Sequence, residues 1–546
     1  MIEWQRFFTA MSFEMTEYDK LQSANLTLLL EAGVALSGEK DIDVLMELII
    51  TTSMKLTNAD GGTLYRLVDG QQLEFSILHN RSLHVRMGGK SGRRDLPLPI
   101  PLLKQGADNY SHVACHAVLT GKTINIPDAY LNEDYDFSGT RASDAKLGYR
   151  SQSFLSVPLK NNDSDIIGVL QLINAQDPVT GQVIAFSPTA SQYAEALASQ
   201  AAVALTNRML MDQMAALFES FIGLVNHAID DKSPYTGGHC GRVPELTMML
   251  AEAIDRYPAG PLSDFCMNDA DRYELKIAGL LHDCGKITTP IHIVDKATKL
   301  QTLFDRIALI DHRQVIVARD LEIGLLKGQI DQKEHDAVLA ELASDCDFLR
   351  HSNIGTEFMR PEAVQRVQDI AQRYSWLAHD GSRQPFLSAD EVLNLSINAG
   401  TLTADERAII NRHIEVTITM LEKLPWPKHL RNVIEYAGSH HERMDGRGYP
   451  RGLTRDQMPV QARCMAIADV FEALTASDRP YKTAKTLSEA LQIMGRMRLN
   501  QHLDPDIFDI FIWEKVYETY AQRFLDPEQI DAVDVTTIPG YTAPIR

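Results

Sequence analysis

The residues best suited to chemistry are histidines and aspartates in the second half of the chain. They are His239, His282, Asp283, His413, His440, His441 and Asp469. Imidazole and carboxylate groups suit borderline divalent ions such as Fe, Mn, Co, Ni and Zn. Because neighbouring residues of a helix point about 100° apart, the adjacent pair His282-Asp283 can reach two ions or bridge them through its aspartate. The pattern indicates a divalent metal site.

The surroundings of these residues strengthen that prediction. His282-Asp283 lies in the apolar run LKIAGLLHDCGKI, and Asp469 lies in CMAIADVFEAL. Uncompensated polar groups in such helices would cost several kcal/mol, so a buried charge there needs a metal ion or a paired charge. A lone histidine elsewhere, such as His112 or His227, is more often an ordinary core or surface residue and receives no role.

Five segments resemble the HD-GYP family of cyclic di-GMP phosphodiesterases, a branch of the HD metal-dependent phosphohydrolases. They are YTGGHCGRV, LLHDCGKI, LTADERAIINRH, HHERMDGRGYPRGL and ARCMAIADVFEALTASDRPYK, and they cover roughly residues 228–295 and 395–515. The resemblance implies a helical bundle that holds two or three metal ions, usually iron or manganese. The implied activity is hydrolysis of cyclic di-GMP to linear pGpG, and in some members onward to GMP, in bacterial second-messenger signalling.

The resemblance also implies roles for individual residues. The seven histidines and aspartates named above match the family's metal ligands. The residues that match substrate contacts are Lys286, Arg443, Asp445, Gly446, Gly448, Tyr449, Arg479 and Lys482. Asp283 and Lys286 are the implied catalytic residues, and Lys286 is expected to face the scissile phosphate. Two cations about 3.5–4 Å apart would supply hydroxide at neutral pH and stabilise the charge that develops on the phosphate.

Two departures from the family pattern leave alternatives open. Many members carry acidic residues, tied to a third metal, shortly before the first motif histidine, whereas residues 233–238 here contain none. We therefore expect two divalent ions, iron or manganese with nickel, cobalt and zinc as alternatives, and Asp230 is the alternative ligand for a third. The chain also has an extra segment at about residues 296–390, which we interpret as a lid, a docking surface or a neutral insertion.

The first half of the chain predicts an α+β domain. Helical spacing over residues 26–58 is followed by a hairpin signal at Asp69-Gly70 and by strand-like runs, so we expect an antiparallel sheet flanked by helices. DAYLNEDYDF, LGYRSQSFLSVPL and IIGVLQLINAQ resemble a GAF domain of the cyclic-nucleotide-phosphodiesterase type. Asn174 is followed by Ala175 instead of the lysine of nucleotide-binding members. An unknown small-molecule ligand and a ligand-free dimerising domain both remain open.

A helix of some forty residues is expected after Ser187. It carries an apolar stripe at alternating three- and four-residue spacing, with Asn207 in one slot. The stripe consists of Val203, Leu210, Met214, Leu217, Phe221 and Leu224. Such a seam with one polar core position is typical of two-stranded coiled coils and predicts a homodimer. The alternative is that the stripe packs on its own domain.

Composition limits the cellular setting and the partners. The 546 residues include 53 Lys plus Arg and 73 Asp plus Glu, a net charge of −20 that disfavours binding to nucleic-acid polymers. No apolar run reaches the ~18–20 residues that cross a bilayer, and the start of the chain lacks the order of a signal peptide. The six scattered cysteines fit reduced thiols. We expect a cytoplasmic protein without a membrane partner.

The predicted fold class is multidomain, and the predicted segments follow the chain. They are an N-terminal segment (1–25), an α+β GAF sensor domain (26–205), a helical linker (206–230), an all-α HD-GYP domain (231–525) and a C-terminal tail (526–546). The favoured function is a cyclic di-GMP phosphodiesterase regulated by the GAF domain. The alternatives are a phosphodiesterase for another cyclic dinucleotide, such as 3',3'-cGAMP, and a largely non-catalytic scaffold that binds signalling proteins such as diguanylate cyclases.

Overall fold

The computed structural model describes residues 17–90, 92, 95–232, 238–355, 358–477 and 484–544. The chain divides into two compact units, Met1–Phe218 and Glu219–Arg546. Each unit has hydrophobic core clusters of its own. Among the described residues, no helix combines the length and the apolar character needed to span a bilayer.

The first unit is built on an antiparallel sheet with the strand order β3-β2-β1-β9-β8-β7. These strands are β1 (Ala59–Val68), β2 (Gln72–Asn80), β3 (Val85–Gly88), β7 (Ile124–Ile126), β8 (Phe154–Lys160) and β9 (Ile166–Gln176). Short strands add to the sheet at β2 and β9 or form a separate pair: β4 (Ile100–Pro101), β5 (Leu103–Lys104), β6 (Ala107–Asp108) and β10 (Val183–Ile184). The expected hairpin is confirmed, because β1 and β2 pair across Asp69 and Gly70, whose φ angles are 52° and 66°.

Helices complete the first unit. They are α1 (Glu17–Gly38), α2 (Ile42–Thr57), α3 (Val113–Thr120), α4 (Ser138–Leu147) and the start of α5 (Pro188–Lys232). The main core joins apolar side chains of α2, the sheet and α5, among them Ile49, Leu170 and Leu197, each fully buried. The α+β fold class predicted from the sequence is confirmed.

The long helix α5 spans 45 residues, as expected. One face of its first turns is buried. The stripe beyond them is exposed, with exposed fractions of 51% at Leu210, 70% at Met214, 72% at Leu217, 59% at Phe221 and 62% at Leu224. The alternative that this stripe packs on its own domain is therefore wrong for these five residues. An apolar stripe that is left uncovered within the chain remains suited to a second helix.

The second unit is mostly helical. Its α-helices after α5 are α6 (His239–Arg256), α7 (Asp269–Leu281), α8 (Ile291–Val294), α9 (Ile307–Leu326), α10 (Gln332–Asn353), α11 (Pro361–Arg373), α12 (Ala389–Leu395), α13 (Ala404–Asn411), α14 (His413–Leu421), α15 (Val433–Gly438), α16 (Val460–Thr475), α17 (Leu487–Leu499), α18 (Pro505–Trp513) and α19 (Val516–Phe524). Short 3₁₀ segments lie at Cys284–Thr288, Lys428–Leu430, Arg455–Gln457, Pro527–Gln529 and Val535–Thr537.

The extra segment at about residues 296–390 has a hydrophobic core of its own. Leu300, Ile310, Leu342 and Val367 belong to one buried cluster. One departure from the all-α expectation lies here, a small hairpin of β11 (Ser375–Leu377) and β12 (Arg383–Pro385). Its turn is formed at Asp380, whose carboxylate accepts the backbone N–H of Ser382, and at Gly381, with a φ of 81°.

Candidate metal centre

Helix ends bring the predicted ligands together in the second unit. His239 begins α6 and His413 begins α14; His282-Asp283 directly follows α7, and Asp469 lies in α16. The remaining pair, His440-His441, follows α15. Helix α6 packs against both α7 and α16. This packing directs side chains that lie far apart in the sequence towards one point.

Six of the seven residues form two groups whose candidate ligand atoms lie within 4.8 Å of one another. The groups are His239, His282 and Asp283, and Asp283, His413, His440 and His441. Asp283 belongs to both. Its Oδ2 lies 3.2 Å from the Nε2 atoms of His239 and His282, and its Oδ1 lies 3.1 Å from Nε2 of His413. The seventh residue, Asp469, places Oδ1 3.4 Å from Nε2 of His239. One carboxylate therefore faces two candidate ion positions.

Three of the histidines are oriented by the same backbone contact. The Nδ1 atom of each lies next to the carbonyl oxygen three residues earlier, at 2.7 Å for His282, 2.5 Å for His413 and 2.7 Å for His440. Because a carbonyl only accepts, Nδ1 carries the proton and Nε2 keeps its lone pair. These three Nε2 atoms and Oδ1 of Asp283 are buried and have no hydrogen-bond partner. Buried lone pairs that converge in this way fit a divalent ion.

His239 is oriented by a carboxylate instead of a carbonyl. Its Nδ1 lies next to Oε2 of Glu472, and Nε of Arg242 donates to Oε1 of the same side chain at 2.7 Å. Glu472 is 1% exposed. A carboxylate behind a histidine fixes the ring orientation and raises its basicity as a metal ligand.

The pKa shifts favour the protonation states that bind metal at most of these residues. Burial lowers the pKa of His441 to about 4 and that of His440 well below its ordinary value, so both imidazoles are neutral. Burial alone would raise the pKa of Asp283, but the ammonium of Lys286 and the contacts with the His239 and His282 imidazoles outweigh it and hold that pKa well below the usual range. Neutral imidazole and ionised carboxylate are the metal-binding forms.

His239 is the exception among these groups. Burial disfavours its charged form, but hydrogen bonds to Asp283, Asp469 and Glu472 raise its pKa well above the ordinary value. Burial likewise disfavours the charge on Asp469, and its contact with His239 contributes to a pKa well below the usual range. Three carboxylates around one imidazole form a concentration of negative charge that suits a cation.

Lys286 lies on the 3₁₀ segment Cys284–Thr288, next to the shared carboxylate. Its Nζ donates to Oδ2 of Asp283 at 2.5 Å, and its side chain is 20% exposed. The N–H of Gly285 donates to Oγ1 of Thr417 at 2.9 Å. A Cβ at Gly285 would lie 2.0 Å from the carbonyl oxygen of His413, so only glycine lets this segment lie directly against α14.

The signature loop after His441 is held by its own charges. The guanidinium of Arg443 pairs with Asp445, with an Nη2–Oδ2 distance of 2.9 Å, and also donates to the carbonyl of Asn500 at 3.0 Å. Glu442, which is 1% exposed, accepts the backbone N–H groups of Arg451 and Leu453. Two of the predicted substrate contacts, Arg443 and Asp445, therefore bind each other and shape the loop.

Tyr449 brings this loop to the metal centre. Its ring stacks on that of His441, with a centroid separation of 4.9 Å and an interplanar angle of 25°. Gly446 has a φ of 74°, and a Cβ at Gly448 would lie 2.4 Å from the backbone nitrogen of Arg443. Both glycines are needed for the loop to take this path.

Some predicted residues fall outside these contacts. Arg479 and Lys482 lie outside the described residues, as do residues 233–237. Asp230, the alternative ligand for a third ion, belongs to neither of the two groups. Its Oδ2 lies 3.5 Å from the backbone nitrogen of Gly238.

Glu472 is a site residue that our sequence interpretation missed. It follows Asp469 by three residues in the same apolar run, so it shares the face of α16 that carries the aspartate. The signal that singled out Asp469, a carboxylate in a buried helix, applies equally to Glu472. It was available in the sequence.

Comparison with known proteins identifies two kinds of domain. The GAF domain family matches residues 41–205, and HD domain families match residues 236–371 and 388–507. The chain contains a GAF domain followed by an HD domain region, which confirms the resemblance seen in the motifs.

The relatives carry names of one enzyme class. The 3'3'-cGAMP-specific phosphodiesterase 3 of Vibrio cholerae is 25% identical over 293 residues, which are 54% of this chain and 38% of that protein. The cyclic di-GMP phosphodiesterase PA4108 of Pseudomonas aeruginosa is 38% identical over 123 residues, 22% of this chain and 28% of that protein. The 3'3'-cGAMP-specific phosphodiesterase 1 of V. cholerae is 46% identical over 80 residues, 15% of this chain and 18% of that protein. The chain thus spans less than two fifths of the length of each of these relatives.

Proposed function

We propose that this chain is a metal-dependent phosphodiesterase that hydrolyses a cyclic dinucleotide, with cyclic di-GMP as the first candidate and pGpG as the first product. The observation that carries the proposal is the set of buried acceptor atoms without partners, Nε2 of His282, His413 and His440 and Oδ1 of Asp283. Leaving them without a cation would cost each atom its lost hydration. The relatives named as phosphodiesterases support the same chemistry.

The chain's own residues have distinct parts in this reaction. The first group, with Asp469, would hold one divalent ion, and the second group would hold another, with Asp283 between them. Two bound ions supply an activated water and neutralise charge on the phosphate. Lys286 adds a positive charge beside Asp283 that can stabilise the charge of the transition state. This local charge offsets a net charge of −20 that would otherwise repel an anionic substrate.

Substrate contacts beyond the phosphate are proposed on the signature loop. The ring of Tyr449, beside His441, offers a stacking surface for a purine base. Arg479 and Lys482 are proposed to contact the substrate on the strength of the resemblance alone. Iron or manganese is the proposed metal.

The choice between two cyclic dinucleotides is the second question. The relative that aligns over 54% of this chain is named as cGAMP-specific, which supports 3'3'-cGAMP as the alternative substrate. Parallel turnover assays with the full metal-loaded protein decide between them. We expect cyclic di-GMP to be hydrolysed with the higher kcat/KM; a higher value for 3'3'-cGAMP would reverse the order.

Loss of the shared carboxylate tests the chemistry itself. We expect Asp283→Ala to abolish release of linear product, while the matched change Asp231→Ala, at an exposed residue of α5, leaves turnover intact. Turnover that survives Asp283→Ala would contradict the proposed mechanism. Absence of turnover in the wild-type protein with either dinucleotide would favour the scaffold alternative, in which the HD region only binds signalling partners.

A further inference from the structure

The last residue of the long helix α5 contacts the segment that carries Lys286. The Nζ atom of Lys232 donates to the carbonyl oxygens of Lys286 at 3.1 Å, of Ile287, and of Thr289 at 2.6 Å. Both α5 from residue 219 onward and the segment Cys284–Thr288 belong to the second unit. Lys232, at the end of a 45-residue helix, thus caps the C-terminal end of a short 3₁₀ segment. Lys286, in that segment, lies 54 residues further along the chain.

The number of contacts matches the chemistry of an ammonium group. Lysine has three N–H donors and no acceptor, and three carbonyl oxygens converge on them here. The carbonyl of Lys286 also accepts the backbone N–H of Thr289 at 3.0 Å. Carbonyl oxygens at the end of a helical segment carry partial negative charge, so a cation placed there is favourable. The donors of an arginine in the same place would lie in one plane on separate nitrogens, a geometry that does not match three carbonyl oxygens grouped around a single nitrogen. The arrangement therefore requires lysine.

The capped segment is fixed at its other end by α14. The N–H of Gly285 donates to Oγ1 of Thr417 at 2.9 Å, and the carbonyl oxygen of His413 lies 2.0 Å from the place that a Cβ of Gly285 would take. Lys286 lies between the contact at Gly285 and the contact with Lys232, and its Nζ reaches Oδ2 of Asp283 at 2.5 Å. Lys232 is the anchor on the far side of Lys286.

The end of α5 is itself seated on the second unit. Ile222 and Ile229 are each 2% exposed, and Glu219 pairs with Lys276 of α7 at 3.2 Å. A displacement of α5 along or about its axis would move Lys232 and its three carbonyl partners together. The apolar stripe on the same helix is exposed from Leu210 to Leu224.

We infer that Lys232 is a positioning residue: it sets the position of Lys286 and so couples the end of α5 to the metal centre. The expected effect of Lys232 on turnover rests on the proposed function, whereas its expected effect on the position of the segment Cys284–Thr288 does not. A ligand or partner that favours one position of α5 would then change the alignment of Lys286, because coupling needs only two arrangements that differ in affinity.

The test compares three variants of the full, metal-loaded chain. Lys232→Met removes the donors and keeps the length of the side chain, and Lys232→Arg keeps the charge. Lys276→Met is the control, because it removes a different polar contact of the end of α5, the ion pair with Glu219, which lies away from the segment Cys284–Thr288. Hydrogen–deuterium exchange reports on the segment 284–290, whose exchangeable amides are those of residues 284–289, because Pro290 has no N–H. Turnover of cyclic di-GMP gives kcat and KM separately.

We expect amide exchange at 284–290 to rise roughly tenfold in Lys232→Met, with the rest of the second unit unchanged. We expect kcat to fall about tenfold to a hundredfold, since small misplacements of a catalytic group have effects of that size. KM should change less, because the N–H donors of Lys232 are used by the three backbone carbonyls. Lys232→Arg should fall between Lys232→Met and wild type, and Lys276→Met should match wild type.

The two readouts separate this inference from the proposed function. Unchanged exchange at 284–290 in Lys232→Met would overturn the inference, and so would increased exchange with an unchanged kcat. A rise in exchange across the whole second unit would also overturn it, because that result describes general destabilisation. If the wild-type protein turns over neither dinucleotide, the proposed function fails. The local exchange result would still decide whether Lys232 positions the segment.

Discussion

At the scale of single residues, the metal centre depends on the group that contacts Nδ1 of each histidine, because that contact orients the ring. His282, His413 and His440 are held by backbone carbonyls, whereas His239 is held by Glu472. A carbonyl fixes the ring through one neutral contact. A carboxylate adds charge, which increases the basicity of the ligand and stabilises a bound cation through the imidazole. Glu472 is therefore the residue outside the ligand set with the strongest expected effect on metal affinity.

Replacement of Glu472 by Gln tests this role. The amide keeps the shape of the side chain but removes its charge, so we expect Glu472→Gln to weaken metal binding about 10- to 100-fold. Titration of the metal-free protein with Mn²⁺ in the presence of a competing chelator measures the change. The matched control is Glu415→Gln, on the exposed face of the helix that begins at His413. Equal affinities for the two variants would show that Glu472 has no part in metal binding.

The sequence indicated which residues could bind metal, because histidine and aspartate in apolar runs are costly without a partner. It did not indicate how they are oriented. The carbonyl behind His440 is that of Ala437, and it points to the ring only because α15 ends at Gly438. Helix ends are hard to predict to the residue. Arg443 and Asp445 bind each other for a similar reason, since the path of the loop decides which charges meet.

At the scale of elements, the site requires a close approach of two segments. The 3₁₀ segment Cys284–Thr288 lies against the start of α14, and Gly285 is the residue at the contact. The approach brings Asp283, which directly precedes the segment, to within 3.1 Å of the first residue of α14, His413. Contact between these two elements thus brings the shared carboxylate to the second group of ligands.

Substitution of Gly285 tests this contact. A Cβ there would lie 2.0 Å from the carbonyl oxygen of His413 and 2.7 Å from the nitrogen of Thr417. We expect Gly285→Ala to destabilise the second unit by about 1–3 kcal/mol, the usual range for overpacking. Thermal unfolding followed by circular dichroism measures this. Gly241→Ala, in α6 with nothing within 4 Å of its Cβ, is the control and should leave stability unchanged or slightly raised. Equal melting temperatures for both variants would contradict the close contact.

Elements that are long or carry a turn signal could be predicted from the sequence, whereas very short ones could not. The long helix α5 and the hairpin at Asp69-Gly70 were predicted because each has a strong repeated pattern or a turn signal. The hairpin of β11 and β12 was not predicted, because each strand has three residues and shows no alternation. The separate core of the extra segment was not predicted either, because which apolar faces meet is decided by tertiary packing.

At the scale of the whole molecule, helix α5 contributes residues to both compact units and carries an exposed apolar stripe. The stripe has the spacing of a coiled-coil seam, and Asn207, in a core position of that seam, is exposed. Five large apolar side chains left 51–72% exposed on one face would be covered if two copies of the helix paired. We propose a homodimer formed along this stripe.

A charge placed in the stripe tests the dimer. We expect Leu217→Glu to shift the protein from dimer to monomer at micromolar concentration, because two carboxylates would face each other in the seam. Analytical ultracentrifugation measures the mass. Gly223→Glu places the same charge on the same helix away from the stripe, in open space, and should remain dimeric. A monomeric wild-type protein would contradict the proposed seam.

The proposed metal centre holds a pair of ions around Asp283, so the number of Mn²⁺ ions that each chain binds tests it most directly. Equilibrium dialysis of the metal-free protein should give two tightly bound ions per chain for wild type and for Asp231→Ala. Asp283→Ala should lose tight binding at both positions, because its carboxylate contacts both groups of ligands. A wild-type chain that binds no Mn²⁺, or an Asp283→Ala variant that still binds two ions, would contradict a two-ion centre shared through Asp283.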